Sequence, residues 1–214
     1  MGIGITGISK AKLVPCSGDY VEGEYDVCLE EHYTVDAPSR GRDRVRPGCY
    51  VAGRGGRTFS FDFSYSGYDA WIRQLSLLAL GVEPEEVWEH PRRFRGKPFV
   101  DLIKFPDAGG GAIGPITSAK LYGDFATFAS RARKYYAKSR SLASSSPGGD
   151  QRSTMDKPHS NRAGLAAVLD LAQSLGGSVT GWDEGESLDW MWESYRDFRR
   201  AFRLAKNDGF VLFY

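Results

Sequence analysis

Residues 194–214 read "SYRDFRRAFRLAKNDGFVLFY". The first half is a helix by its spacing: with Leu188 and Met191 just upstream, Tyr195, Phe198, Phe202 and Ala205 recur every three or four residues and share one stripe. Gly209 is placed to end it. "FVLFY" is apolar throughout, which predicts a central strand buried on both faces. A helix that runs straight into such a strand has to lay its apolar stripe on the sheet the strand joins.

The other end of the chain agrees. "IGITGIS", residues 3–9, alternates apolar and small residues and predicts a buried strand. "YDVCLEEHYTV", residues 25–35, and "RTFSFDFSY", residues 57–65, are rich in β-branched and aromatic residues with period-two stretches, which predicts two more. In the latter, Phe59, Phe61 and Phe63 share one face, predicted core, and Ser60, Asp62 and Ser64 share the other.

Between these strands the period is helical. Tyr68, Trp71, Leu75, Leu78 and Val82 form a stripe that Ser66 is placed to cap. "VEPEEVWEHPRRFRGKP", residues 82–98, is a polar connection, and "FVDLIKF", residues 99–105, is a strand or a helical turn. Leu121, Phe125, Phe128, Ala132 and Tyr135 predict a helix from about Pro115 to about Lys138. "SRSLASSSPGGDQRSTMDKPHSN", residues 139–161, lacks apolar periodicity, so a flexible or inserted segment is predicted over residues 142–183. Within it "RAGLAAVLDLAQSL", residues 162–175, predicts a short helix before Gly176 and Gly177. The expected fold is α+β: one domain over residues 1–214, with a single sheet that holds the N- and C-terminal strands and helices packed against it.

Charge is segregated beneath a formal net charge of +1. Arg40, Arg42, Arg44, Arg46, Arg54 and Arg57 stand against Asp43 alone in one segment. Further cations cluster at Arg92, Arg93, Arg95 and Lys97 and along Arg131, Arg133, Lys134, Lys138 and Arg140. Such runs leave room for an anionic ligand. Three cysteines, Cys16, Cys28 and Cys49, form no close pair, and their odd number predicts reduced thiols in a cytosolic setting. No apolar run is long enough to span a bilayer, which predicts a soluble protein without membrane attachment.

The candidate ligand site is glycine-rich. In "DAGGGAIGPITSAK", residues 107–120, Gly110, Gly111 and Gly114 would let the backbone approach an anion closely at a helix start. Thr117, Ser118 and Lys120 would add hydroxyls and a cation. The spacing matches neither a Walker loop nor a dinucleotide fingerprint, and helix packing explains such glycines equally well. "SYSGYDAW", residues 64–71, offers Tyr65, Ser66 and the Gly67 amide at a second helix start, and Arg54 and Arg57 are placed to close over the bound anion. His32, His90 and His159 have no second ligand at metal spacing. The adjacent pairs Glu30 with Glu31 and Glu85 with Glu86 diverge rather than converge. No catalytic residue, metal ligand or cofactor motif is assigned.

Three segments carry a resemblance: "SYSGYDAWIRQLSLLA", "FVDLIKFPDAGGGAIGPITSAKLYGDF" and "YRDFRRAFRLAKNDGFVLF". They resemble a widespread family of uncharacterised phage and bacterial proteins that pairs Ser-Gly-Tyr-x-x-Trp at a helix start with Gly-x-Ile-Gly-Pro and an aromatic C-terminal strand. In that family Cys-Glu often follows the aspartate, whereas here Asp107 is followed by Ala108 and Gly109. The resemblance implies a phage or prophage setting, hence the host cell cytosol, and no activity. By analogy with anti-defence proteins that sequester nucleotide messengers, the expected function is non-catalytic binding of a small anionic, nucleotide-like ligand. A protein–protein inhibitor of a host factor and an enzyme acting on a nucleotide or modified small molecule are the alternatives. Homo-oligomerisation is left open, and no specific nucleic-acid motif is found.

Overall fold

The computed structural model describes residues 2–15, 33–35, 43, 45–105, 111–143 and 184–214, with side chains 137–143 and 184–189 excepted. The chain divides into two units, one formed by residues 1–131 with 194–214 and the other by residues 132–193. The first unit carries two antiparallel sheets rather than the single one expected. Sheet A takes the order β5 (Thr58–Ser64), β1 (Gly2–Ile8), β7 (Phe210–Phe213), β6 (Gly111–Ile113). Sheet B takes the order β2 (Ala11–Val14), β4 (Gly48–Ala52), β3 (Tyr33–Val35). Its strands are short and partly polar, so they leave little periodicity to read.

Both terminal strands lie in sheet A, and β7 is central, between β1 and β6. The register sets Ile3, Ile5 and Gly7 opposite Phe63, Phe61 and Phe59, with Phe213 and Val211 on the same face. That face receives the helices. α1 (Tyr65–Leu80) and α5 (Glu184–Ala205) bring Trp71 and Phe198 together as a parallel stack, ring centroids 4.0 Å apart and 9° between planes. Phe198 also meets Phe61 and Phe63 of β5 and Phe125 of α4 (Pro115–Ala143). α5 sits close to the sheet because Gly7 has no Cβ; one placed there would lie 2.7 Å from the Ala201 Cα.

The opposite face of sheet A receives sheet B. Ile8, Phe210, Leu212 and Ala112 form one buried cluster with Val35, Val45 and Tyr50. Farther along this face the side chains turn polar, and Thr6 Oγ1 lies 2.8 Å from Ser60 Oγ. In the second unit, the described residues are the ends of α4 and α5, where Tyr135 and Tyr136 meet edge to face.

Several boundaries differ from the expectations above. Ser64, not Ser66, caps α1: its extended backbone stands outside the helix and its Oγ accepts from the Gly67 N–H at 3.1 Å. The polar connection contains a helix, α2 (Pro84–Glu89), with Pro84 in the first turn and Glu85 and Glu86 at its positive end. "FVDLIKF" resolves to one helical turn, α3 (Val100–Ile103), preceded by Phe99 in the left-handed region at φ 58°. Part of the glycine-rich stretch is strand β6. α4 continues past Lys138 to Ala143, into the predicted linker. At the end of α5 the left-handed turn falls on Asp208, φ 51°. Gly209 instead makes room, since a Cβ there would lie 1.8 Å from the Ile8 carbonyl oxygen.

Most of predicted strand 25–35, the predicted helix 162–175 and the remainder of the segment up to residue 183 lie outside the described residues. Cys49 is disulfide-bonded, which corrects the reading of three reduced thiols: an odd count leaves one cysteine over but does not forbid a bridge. No described helix is long and apolar enough to cross a membrane.

Trp71 has no exposed surface, and its indole N–H finds no hydrogen-bond partner among the described residues. Trp71→Ala should therefore cost about 3–5 kcal/mol in a urea unfolding curve. Trp71→Phe should cost less, since it keeps a ring against Phe198 and removes an unsatisfied donor. Equal losses for the two variants would contradict the stacking role.

Candidate functional site

The start of α4 is fully accounted for by groups of the chain itself. Pro115 has no N–H to offer. The Ile116 N–H donates to Asp43 Oδ1 at 2.8 Å, and the Thr117 N–H donates to both carboxylate oxygens of Asp43 at 3.2 Å. The Ser118 N–H already makes the first helical bond, to the Gly114 carbonyl at 3.0 Å. A helix start attracts negative charge because its first amides are unsatisfied. Here that charge is an internal carboxylate from far back in the sequence, on a residue only 3% exposed.

The glycines of this stretch serve the same arrangement. A Cβ on Gly114 would lie 2.6 Å from the Asp43 Cβ, so the missing side chain is what admits the aspartate. Gly111, at φ 152°, faces the Phe105 ring, which a Cβ would meet at 2.8 Å. Gly110 lies outside the described residues. The buried Ser118 hydroxyl donates to the Ile113 carbonyl. Lys120 Nζ is 2.7 Å from Asp101 Oδ2 and 3.4 Å from Asp124 Oδ2, so its charge is balanced on the spot. An outside anion at this helix start would have to displace Asp43 and compete for Lys120, which corrects the reading of free amides beside a free cation.

The second candidate helix start is likewise occupied, with the Gly67 N–H on Ser64. Tyr65 and Ser66 are exposed beside it, without a cation brought to them by any ion pair or ring contact among the described residues. Burial pushes the phenols of Tyr68 and Tyr195 well above their ordinary pKa. Both act as donors, Tyr68 to the Phe105 carbonyl and Tyr195 to the Phe125 carbonyl, so neither is poised as a base. Among the described residues no three His, Cys, Asp or Glu side chains gather as a metal would require.

Arg54 and Arg57 behave differently. Both are exposed, in the turn from β4 to β5, and neither has a carboxylate at ion-pair distance among the described residues. This turn docks on the one between β1 and β2: the Ser9 N–H donates to the Arg57 carbonyl at 3.0 Å and the Gly53 N–H to the Lys10 carbonyl at 2.9 Å. The Lys10 N–H in turn donates to the Asn207 carbonyl, which brings in the end of α5. There Arg200 lays its guanidinium 3.9 Å over the Phe59 ring, while Lys206 Nζ sits 4.2 Å over Tyr122. Lys10, Arg54, Arg57, Arg200, Arg203 and Lys206 thus collect at one end of the first unit, and among the described residues no carboxylate forms an ion pair with any of them.

Sequence reasoning reached Arg54 and Arg57 but missed the α5 cations. Their signal was present in "YRDFRRAFRLAK", where Arg and Lys fall on the stripe opposite the aromatics. Comparisons of the chain with family models, with curated proteins and with solved structures find no match.

If Asp43 is the cap of α4, Asp43→Ala leaves the Ile116 and Thr117 amides without their carboxylate acceptor and should lower stability by about 1–2 kcal/mol. Urea unfolding measures this. Asp43→Asn, which keeps an acceptor oxygen but no charge, should fall between wild type and Asp43→Ala. An Ala variant as stable as wild type would refute the capping role.

Proposed function

We propose that this protein is a non-catalytic binder of an anionic, nucleotide-type ligand, and that the ligand sits at the basic end formed by Lys10, Arg54, Arg57 and the last turns of α5. The observation that carries this reading is the gathering of cations from separate parts of the chain at one end. The docked turns bring Lys10, Arg54 and Arg57 to the end of α5, where Arg200 and Lys206 lie on aromatic rings, and none of these five has a carboxylate at ion-pair distance among the described residues. A cation on a ring keeps its full charge for an incoming anion. Guanidinium groups suit phosphate oxygens in particular, through paired N–H donors.

What this end gathers among the described residues is cations and aromatic rings, and the reading we adopt is capture rather than turnover. We infer from the three segments that resemble phage proteins that this capture serves a phage inside an infected cell. There, withholding a phosphate-bearing signal from a bacterial defence would need affinity and no chemistry.

The test begins with purified protein heated until it precipitates. Mass spectrometry of the supernatant should find an intact phosphate-bearing species. The double variant Arg54→Glu, Arg57→Glu should carry at least tenfold less of it per mole of protein, and Lys120→Glu should carry the wild-type amount. Equal loads in the double variant and wild type would sink the basic-end assignment, and a chemically altered species would point to an enzyme.

A further inference from the structure

We propose that the ligand of the basic end is polymeric: a single polynucleotide strand whose backbone runs along the exposed stripe of α5. The proposal rests on the anion-binding reading above and concerns the same site.

The stripe is longer than one phosphate requires. Arg196, Arg199, Arg200, Arg203 and Lys206 recur at intervals of three or four residues, so they share one side of α5 and the turn that continues it. The Lys206 N–H still donates to the Phe202 carbonyl at 3.1 Å, which keeps that residue on the helical path. Tyr195, Phe198, Phe202 and Ala205 occupy the opposite side and are buried. At about 1.5 Å per residue the row of cations extends roughly 15 Å. A nucleic-acid strand advances about 3.4 Å per phosphate in a duplex and more when stretched, so the row spans several consecutive phosphates.

The manner in which the cations are held favours the same occupant. Arg199 and Lys206 both lie over the Tyr122 ring, at 5.8 Å and 4.2 Å, and Arg200 lies over Phe59. Arg196 and Arg203 are exposed without a ring or carboxylate partner among the described residues. Three acids lie near the row, the first of them Glu193, exposed one turn before Arg196. Asp197 is on its flank, half-buried and engaged elsewhere, and Asp208 follows the helix, its carbonyl receiving the Ala11 N–H. Five cations against these three leave the stripe positive, and half-buried rings beside a cationic track are the usual elements of sequence-tolerant single-strand binding. One line of charge matches one backbone; a duplex presents two, set apart by the width of a groove.

Fluorescence anisotropy of a labelled fifteen-nucleotide oligothymidylate tests the proposal over a salt series, with pyrophosphate as the small-anion probe in parallel titrations. The strand should bind, with a log–log salt slope of about −3, as expected for four to five phosphate contacts on a single strand. The exposed double variant Arg196→Glu, Arg203→Glu should weaken strand binding at least tenfold and flatten the slope, with an unchanged melting temperature. Arg93→Glu, whose parent side chain is paired with Glu86, should leave binding unchanged. If the double variant melts early, Arg196→Gln with Arg203→Gln provides the same comparison without charge reversal.

A slope shallower than about −1, wild-type strand affinity in the double variant, or tighter binding of the same sequence as a duplex would each overturn the proposal. The two readings fail separately. Pyrophosphate binding that depends on Arg54 and Arg57, without strand binding, leaves the anion site standing and removes the polymer. Binding of neither probe removes both.

Discussion

The stack of Phe198 on Trp71, centroids 4.0 Å apart, fixes where α5 lies on sheet A. Three separate stretches meet there: α1 brings the indole, α5 brings the phenyl ring, and Phe125 of α4 lies nearly parallel to both. Parallel offset rings of this size contribute area burial and a further stacking term of about 0.5–1.5 kcal/mol per pair. The cost is visible at the indole, whose buried N–H has no partner among the described residues and forfeits roughly 1–3 kcal/mol. Gly7 and Gly209 follow from the same geometry. One lets α5 approach β1 at Ala201, and the other lets β7 return beside the Ile8 carbonyl.

With α5 fixed, its outer stripe is fixed as well. Every cation on that stripe is placed by a core residue one or two positions away, so the arrangement of charge is as well determined as the packing beneath it. Arg199 and Arg200 follow Phe198 directly, and Arg203 follows Phe202. Phe59 joins the two, since its ring lies on the helix-facing side of the edge strand β5, where the core no longer covers it fully, and Arg200 takes the uncovered side.

Much of this was legible from residue spacing. The stripes of α1, α4 and α5 announced themselves, as did the apolar run of β7 and the period-two face of β5, because each buries one continuous side against a common core. Of sheet B only β3, the end of the strand expected over residues 25–35, was legible: β2 and β4 are short strands with mixed burial and carry too little periodicity. The cap of α1 was missed by two residues, because Ser64 and Ser66 are both competent and only the backbone angles choose between them. The glycine-rich stretch suggested a close approach to an outside anion, whereas the group that meets Gly114 and the first amides of α4 is Asp43. No local rule connects that aspartate with an amide so far along the chain. Arg54 and Arg57 could be named as exposed cations, while their union with α5 depends on the docking of two turns.

Charge is satisfied in two ways within this unit. Where a carboxylate meets an amide or an ammonium, as Asp43 does at α4 and Asp101 does at Lys120, the field is consumed locally and the product is order in the chain. Where a guanidinium or ammonium lies on a ring, the attraction is about 0.5–1 kcal/mol at an exposed site, enough to orient the side chain. That attraction leaves the net charge in place, and Debye screening at physiological salt still lets cations a few ångströms apart act together. The unbalanced charge of this end therefore lies not at the glycine-rich helix start, whose amides Asp43 occupies, but at the turns around Lys10 and Arg57 and on the outer stripe of α5.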